Sequence, residues 1–221
     1  MKIYYEDESL IVVLKPYGVG CEASQGKNMI DLIKEETGAL VYPVHRLDTT
    51  TTGIMVFAKT KDGAAGLSRL ILEGKIKKEY LALCYGHPDE SGEMTDFLYH
   101  DKMRNKSFVT PTKRKGSKEA KLEFCTQGSL ILENGREISL VKINLLTGRT
   151  HQIRVQLSSR GYPLCGDGKY GARDNFKIAL HAYRLSFPDL KTGAPLEFYD
   201  LPREAHWSIA APLLEKLEKQ G

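Results

Sequence analysis

The feature of this sequence that most constrains its fold is a series of short apolar segments rich in β-branched and aromatic residues. Such segments are typical of β-strands. The predicted strands span residues 3–5, 10–14, 41–44, 54–59, 79–85, 120–126, 138–145, 179–187 and 197–199. Because many of these strands are joined by turns rather than by helices, the pattern favours an α+β fold with a mixed, mainly antiparallel sheet.

Apolar residues at helical spacing predict four helices that flank this sheet. The first follows Asn28 as its N-cap and ends at Gly38, and the third follows Thr150 as its N-cap and runs toward residue 159. The other two lie near residues 64–74 and 212–219. Residues 88–117 show neither pattern, and we expect a long mobile loop or insertion there. Its basic part suits a solvated surface as well as a nucleic-acid contact.

Length and composition limit the class of protein. The 221 residues contain no repeat and no Pro/Gly/Ser linker, so we expect a single domain over residues 1–221. No apolar stretch is long enough for a membrane helix, and the start carries acids where a secretory signal needs apolar residues, so we expect a cytoplasmic protein without membrane contact. The four cysteines lack CxxC spacing and are expected to be free thiols. A net charge of +4 permits a polyanionic partner without requiring one.

The segment HRLDTTTTG, residues 45–53, is the most unusual polar stretch. It lies between two predicted strands, which would hold such a loop rigidly, as is common where reacting groups are positioned. An isolated Arg46 and Asp48 would more often be a structural ion pair. The second segment of this kind, GRTHQIRVQ at residues 148–156, strengthens the functional interpretation, because it has more hydrogen-bond donors than a purely packing helix needs. A basic helix face solvated by water remains the alternative.

Several other chemistries are weighed against these residues. A metal site formed by His45, Asp48, His151 or His181 lacks the repeated carboxylates or close histidine pairs of metal sites. There is no G-x-S-x-G motif for a serine hydrolase, and no G-x-G-x-x-G or P-loop motif for a nucleotide cofactor. The residues alone therefore indicate a rigid loop that carries Asp48, with basic segments able to hold an anion, and neither a metal nor a cofactor.

The stretch HRLDTTTTGIMVFAK closely resembles the characteristic loop of the RluA-type RNA pseudouridine synthases, H-R-L-D-x-x-T-S-G followed by apolar residues and a lysine. Five further blocks resemble the family in the same order along the chain. They are the LVVxKPxG-like residues 11–18, K-x-Y-L-A at 78–82, G-R-T-H-Q-I-R-V at 148–155, G-D-x-x-Y-G at 166–171 and L-H-A at 180–182. Six ordered blocks make the match specific.

The resemblance implies a role for four residues. Asp48 corresponds to the catalytic aspartate, and Arg154 to the arginine that pairs with it. Tyr80 corresponds to the tyrosine that stacks on the target base, and Arg46 to the arginine that enters the RNA where the uridine leaves its stack. We interpret His151 and His181 as structural histidines. The sequence departs from the family pattern at three positions, which are Thr52 in place of Ser, Leu14 in place of Asn or Asp, and Gln156 in place of a common His.

The resemblance also implies the reaction, in which the C1′–N1 bond of a uridine in rRNA or tRNA is broken, the base rotates, and it is rejoined through C5. It implies no metal or other cofactor, and we expect a monomer. We expect no N-terminal S4-like RNA-binding domain, so substrate choice would rest on the catalytic domain and its loops. A non-catalytic RNA-binding module and a metal-dependent phosphoesterase are the competing hypotheses; the phosphoesterase would need carboxylate clusters that the sequence lacks.

Overall fold

The computed structural model describes residues 1–22 and 26–219, which group into two compact units. The first unit comprises Met1–Lys78 and His181–Pro202, and the second comprises Glu79–Leu180 and the chain from Arg203 onward. Mixed β-structure with α-helices is present, so the predicted α+β class is confirmed. The prediction of a single catalytic domain over residues 1–221 stays a prediction.

In the residues that the structure describes, the first unit contains six strands. These are β1 (Ile3–Glu6), β2 (Leu10–Lys15), β3 (Tyr42–Pro43), β4 (Thr52–Ala58), β10 (Leu180–Pro188, from its second residue) and β11 (Pro195–Tyr199). The β1–β2 hairpin is antiparallel, as predicted, and β2 pairs antiparallel with β4 along its whole length. On its other side β4 pairs parallel with β10, which in turn pairs antiparallel with β11. Strand β3 is shorter than predicted and pairs with the end of β4.

Strand β4 is the centre of the first unit because all seven of its residues are buried. Its apolar side chains pack with those of β2 and β10 in one core, which also includes Leu67 of helix α2 (Lys61–Leu72). Helix α1 (Met29–Thr37) begins after Asn28, whose side chain accepts a hydrogen bond from the Asp31 backbone, and ends at Gly38 in the left-handed conformation. Both end residues of α1 were predicted, because caps act through local hydrogen bonds and backbone angles.

In its described residues, the second unit contains an antiparallel sheet of five strands and two α-helices. In spatial order the strands are β5 (Lys77–Tyr85, from its third residue), β9 (Glu137–Leu145), β8 (Ser117–Ile131), β6 (Ser91–Asp101) and β7 (Lys106–Thr110). Helix α3 (Gln152–Ser159) contacts β6 and β7, and helix α4 (Ala211–Glu218) contacts β8. Every strand pair in this unit is antiparallel, as the many turn connections predict.

The predicted mobile loop over residues 88–117 is wrong, because this region contributes strands β6 and β7. Within β6, only Met94 and Leu98 are buried. Its apolar and aromatic residues, Met94, Phe97, Leu98 and Tyr99, do not alternate regularly with polar ones, so the sequence pattern does not indicate a strand. The strand forms nevertheless, because β6 hydrogen-bonds to β8 on one side and to β7 on the other.

Thr150 was predicted to cap helix α3, and this prediction is also wrong. The N-cap is His151, which lies in the left-handed region at φ 55° and makes no capping hydrogen bond with its side chain. The Gln152 side-chain oxygen instead accepts hydrogen bonds from the Arg149 backbone and the Thr147 hydroxyl. The Thr150 carbonyl accepts a hydrogen bond from the Ser107 hydroxyl, so its neighbourhood is set by tertiary contacts.

None of the helices in the described residues combines the length and the apolar character needed to cross a bilayer.

Gly53 allows β4 and β10 to approach each other at the start of their parallel pairing. It has a φ of 119°, and a Cβ atom built on it would lie 2.4 Å from the backbone nitrogen and oxygen of Ala182. Gly38 also has a positive φ, of 74°, but a Cβ atom there would have no neighbour within 4 Å. Substitution of Gly38 therefore tests backbone strain alone, whereas substitution of Gly53 adds a steric clash with Ala182.

Gly53→Ala is expected to lower the free energy of unfolding by roughly 3–5 kcal/mol, because backbone strain adds to overpacking. Gly38→Ala is expected to cost only about 1–2 kcal/mol, since the strain acts alone. Urea unfolding of both variants and the parent measures the difference. Equal losses would mean that β10 moves away from β4 at no cost.

Candidate active site

The loop between β3 and β4 carries two of the four predicted site residues. Arg46 is exposed, Leu47 is buried and Asp48 is half-buried. The backbone of Leu47 is held on both sides by Cys21, whose thiol donates to the Leu47 carbonyl and accepts from its N–H, both at 3.1 Å. A turn follows Asp48, because the Thr51 N–H donates to the Asp48 carbonyl at 2.9 Å. The loop is therefore anchored before and after Asp48.

Lys15, at the end of β2, is the main anchor of the turn that follows Asp48. Its side chain is fully buried, and its ammonium group donates to the carbonyls of Thr51 at 2.7 Å, Pro16 at 3.1 Å and Thr49 at 3.2 Å. Burial lowers the pKa of Lys15 to about 8, while Cys21 and the opposite charge of Asp48 act to raise it. A cation fully enclosed by three carbonyls fixes their positions, so the turn that follows Asp48 is rigid.

Lys15 was not predicted to be a site residue, although it lies in one of the family-like blocks. The sequence shows a lysine before Pro16, but its contacts lie up to 36 positions away. Such a contact depends on the antiparallel pairing of β2 with β4. Lys15 has no acidic partner nearby in the sequence, so no local sequence pattern predicts its burial.

His181 joins the start of β4 to the end of the first unit. Its Nε2 atom donates to the Asp200 carbonyl at 3.1 Å, which leaves Nδ1 to accept the Thr52 hydroxyl proton at 2.7 Å. Burial raises the pKa of Asp200, but hydrogen bonds from His181, Lys2 and Tyr4 outweigh it and hold that pKa below its ordinary value. These contacts fit the structural interpretation of His181, and Thr52 supplies the hydroxyl expected of serine.

The other two predicted site residues lie in the second unit. Tyr80 is on β5 opposite Ile143 and is 5% exposed. Arg154 is on α3, and its side chain is 6% exposed. The alternative of a water-solvated basic helix face is wrong, since the six consecutive residues Gln152–Leu157 are all buried.

Arg154 forms a bidentate ion pair with Asp167, which was not predicted to be a site residue. Nε donates to Oδ2 at 2.6 Å, and Nη2 donates to Oδ1 at 2.8 Å. The Asp167 side chain is fully buried. Such a fork-to-fork pair fixes the plane of the guanidinium group. The aspartate belongs to the G-D-x-x-Y-G-like block, and that block was the only indication in the sequence.

Tyr170 lies against the same arginine. The Arg154 Cζ atom is 5.1 Å from the centre of the Tyr170 ring. The Tyr170 hydroxyl accepts a hydrogen bond from the Ser107 backbone at 2.7 Å and is 3.0 Å from His151 Nδ1. His151 is therefore a buried histidine with a structural contact, as interpreted from the sequence.

The connection between β7 and β8, residues 111–116, carries the exposed cations Lys113, Arg114 and Lys115. We call it the basic connection. Arg114 lies over the ring of Tyr99 on β6, with its Cζ atom 4.5 Å from the ring centre. Lys113 and Lys115 are exposed in a short connection between two strands rather than in a long loop.

No three histidine, cysteine or acidic side chains in the described part of the chain are grouped closely enough to hold a metal ion.

His45, the first residue of the HRLD segment, is held in its neutral form. The Val56 backbone N–H donates to its Nε2 atom at 3.1 Å, so the ring proton lies on Nδ1. Burial, with a smaller effect of the positive charge of Lys78, lowers the pKa of His45 to about 3. Protonation of Nε2 would place two N–H groups against each other and break the link between the loop and β4.

The neutral state of His45 predicts acid sensitivity. Its pKa is about 3 when folded and about 6.5 when unfolded, so its contribution to stability is complete above pH 6.5 and is lost as the pH falls. Between pH 7.5 and pH 5 the parent is expected to lose about 2 kcal/mol more than His45→Gln, which accepts the Val56 bond without titrating. Urea unfolding at both pH values measures this, and His87→Gln, at an exposed histidine, serves as control. Parallel losses in the parent and His45→Gln would contradict the assignment.

Comparison with known proteins places this fold and these motifs in one family. The model of the RNA pseudouridylate synthase family matches residues 9–159. An uncharacterized RNA pseudouridine synthase of Mycoplasma genitalium is 35% identical over 214 residues, which cover 87% of this chain and 65% of the relative. The ribosomal large subunit pseudouridine synthase D of Vibrio parahaemolyticus is 32% identical over 224 residues, which cover 90% of this chain and 66% of the relative. This chain thus spans slightly less than two thirds of the length of each of these two relatives.

A solved structure gives the same result. The structure of human RNA pseudouridylate synthase domain containing 1 matches with a TM-score of 0.74 and 25% identity, covering 90% of this chain and 82% of that one. The family-like blocks lie in the regions that carry Asp48, Tyr80 and Arg154, and the family model spans all three residues. This chain belongs to the RNA pseudouridylate synthase family, whose members are isomerases that act on RNA.

Proposed function

We propose that this protein converts uridine to pseudouridine in ribosomal or transfer RNA, with Asp48 as the catalytic carboxylate. The observation that carries the proposal is the construction of the Asp48 loop. Cys21 anchors the residue before Asp48, and the buried ammonium of Lys15 anchors the turn after it. Such a loop presents one carboxylate in a fixed position, and the name of the Vibrio relative supports a ribosomal substrate.

The reaction needs a uridine outside its stack, since the base is unreachable inside an RNA helix. Extrusion of the base costs a few kcal/mol of free energy, and its stacking on the Tyr80 ring offsets about 1–3 kcal/mol of this cost. Arg46 is exposed beside Asp48 and has the length and charge to fill the vacated space. Asp48 then acts as nucleophile or proton acceptor while the C1′–N1 bond breaks, the base rotates and C5 bonds to C1′. The proton released from C5 is finally transferred to N1.

Arg154 supplies the positive charge that this step requires in the proposed site. A guanidinium beside the reacting carboxylate attracts it electrostatically and fixes its rotamer. We further propose that the protein works as a monomer in the cytoplasm and needs no metal. The four cysteines are free thiols, which suits a reducing compartment.

Asp48→Asn is expected to abolish pseudouridine formation while RNA binding is kept. The amide has the size of the carboxylate but is neither a nucleophile nor a useful base. Affinity is expected to stay the same or to rise slightly, because one negative charge near a polyanion is removed. The measurement combines equilibrium binding with a pseudouridine-specific chemical readout on total RNA from a strain that lacks the gene.

Asp62→Asn, at an exposed carboxylate of α2, provides the matched control and is expected to react like the parent. Turnover by folded Asp48→Asn would remove Asp48 from the catalytic role. Binding by the parent without turnover on any cellular RNA would identify a binding module rather than an enzyme.

The basic connection is proposed to contact RNA phosphates. Lys113→Gln with Lys115→Gln removes two exposed cations and leaves the Arg114 contact with Tyr99 intact. The slope of log affinity against log salt is expected to become less steep by about 2, since each phosphate contact contributes about 1 to it. Filter binding over a salt series measures the slope.

Lys34→Gln with Lys216→Gln is the matched control, because it removes the same charge from two exposed helix positions. A control slope equal to the parent's, together with a reduced slope in the first variant, supports the contact. The same slope in all three proteins would mean that the basic connection is only a solvated surface.

A further inference from the structure

The buried arginine of α3 is held from two directions by residues outside its own helix. The Asp167 carboxylate accepts two hydrogen bonds, of 2.6 and 2.8 Å, from Nε and Nη2 of Arg154. Tyr170 covers its face, with 5.1 Å between Cζ and the ring centre. An ion pair alone constrains a guanidinium within its plane, whereas an aromatic ring over the face also restricts its tilt.

Asp167 is itself immobilised, so it provides a fixed reference for the arginine. Its backbone N–H donates to the Leu164 carbonyl at 3.0 Å, and its carbonyl accepts from the N–H groups of Tyr170 and Ala172. Its side chain is 0% exposed, which excludes water as a competing partner for the carboxylate. The segment from Leu164 to Ala172 thus folds around the carboxylate that holds Arg154.

Tyr170 extends this support to β7. Its hydroxyl accepts the Ser107 backbone N–H at 2.7 Å, and the Ser107 hydroxyl donates to the Thr150 carbonyl at 2.6 Å, two residues before helix α3. The ring is therefore fixed by hydrogen bonds to a strand as well as by packing. A tyrosine needed only for core volume would not require this hydroxyl.

We propose that Asp167 and Tyr170 are positioning residues of the isomerisation, which act by holding the Arg154 guanidinium in one orientation. The proposal rests on the proposed function, in which Arg154 serves the reacting carboxylate. Asp167 uses Nε and Nη2 of the arginine, so the orientation of the remaining Nη1 group is set by this pair. An arginine that kept its charge but lost this orientation would stabilise the ionised carboxylate less well during the reaction.

Asp167→Asn tests the proposal, because the amide keeps the shape and removes the charge and one acceptor. The single-turnover rate on an RNA that the parent modifies is expected to fall about 100-fold, the cost of a misplaced group near the reaction. The RNA dissociation constant is expected to stay within about twofold of the parent's, because no binding group is removed. Tyr170→Phe keeps the ring and loses the hydroxyl bonds, so a smaller reduction of the same kind is expected.

A second measurement reports on the arginine itself, independently of activity. In ¹⁵N–¹H spectra, the Nε–H signal that disappears in Arg154→Lys is expected to be sharp and slow to exchange in the parent. It is expected to broaden or exchange fast in Asp167→Asn. Asp89→Asn, at an exposed carboxylate of the same unit that lies between β5 and β6, is the control and should leave both rate and signal unchanged.

The outcomes are distinguishable. A parental rate in folded Asp167→Asn overturns the proposal, and so does a reduced rate with an unchanged Arg154 signal, because Asp167 would then act by another route. If the parent modifies no cellular RNA, the proposed function fails, and the arginine signal alone decides whether Asp167 orders Arg154. Should Asp167→Asn fail to fold, Tyr170→Phe decides by the same two measurements.

Discussion

A buried ammonium group fixes the loop on which the proposed chemistry depends. Lys15 gives up its hydration completely and instead donates hydrogen bonds to three backbone carbonyls, two of them in the turn after Asp48. Each carbonyl left unsatisfied in such a place would cost about 1–3 kcal/mol, so the turn and the ammonium depend on each other. Because β2 pairs with β4 along its whole length, the sheet places Lys15 at the height of this turn.

The two buried cations are compensated in different ways. Lys15 is surrounded by neutral carbonyls, so its charge remains available to interact with Asp48, as the effect of Asp48 on the pKa of Lys15 indicates. Arg154 is neutralised directly by Asp167.

The sequence predicts the parts of this structure that arise from local patterns. The β1–β2 hairpin, the two ends of α1 and the strand following the Asp48 loop all have the predicted type, because turn residues, caps and β-branched runs act over a few positions. Strands β6 and β7 were missed, since β6 forms through its pairing with β8, and β7 through its pairing with β6, more than through their own apolar pattern. Lys15 and Asp167 were missed as site residues for a related reason. Their partners lie 36 and 13 positions away, and the family-like blocks indicate their presence but not their contacts.

Gln156, one of the departures from the family pattern, has a clear structural role. Its Nε2 group donates to the Asp96 carboxylate at 2.7 Å and to the Met94 carbonyl at 3.1 Å, which ties α3 to β6. The side chain is fully buried, so these bonds face no competition from water. An amide offers two N–H donors on one nitrogen, whereas an imidazole offers at most one per nitrogen. Gln156 therefore secures two acceptors on the strand at once. Arg154 lies two residues away on the same short helix. Contacts that hold the helix at Gln156 therefore also fix the position of the Arg154 backbone.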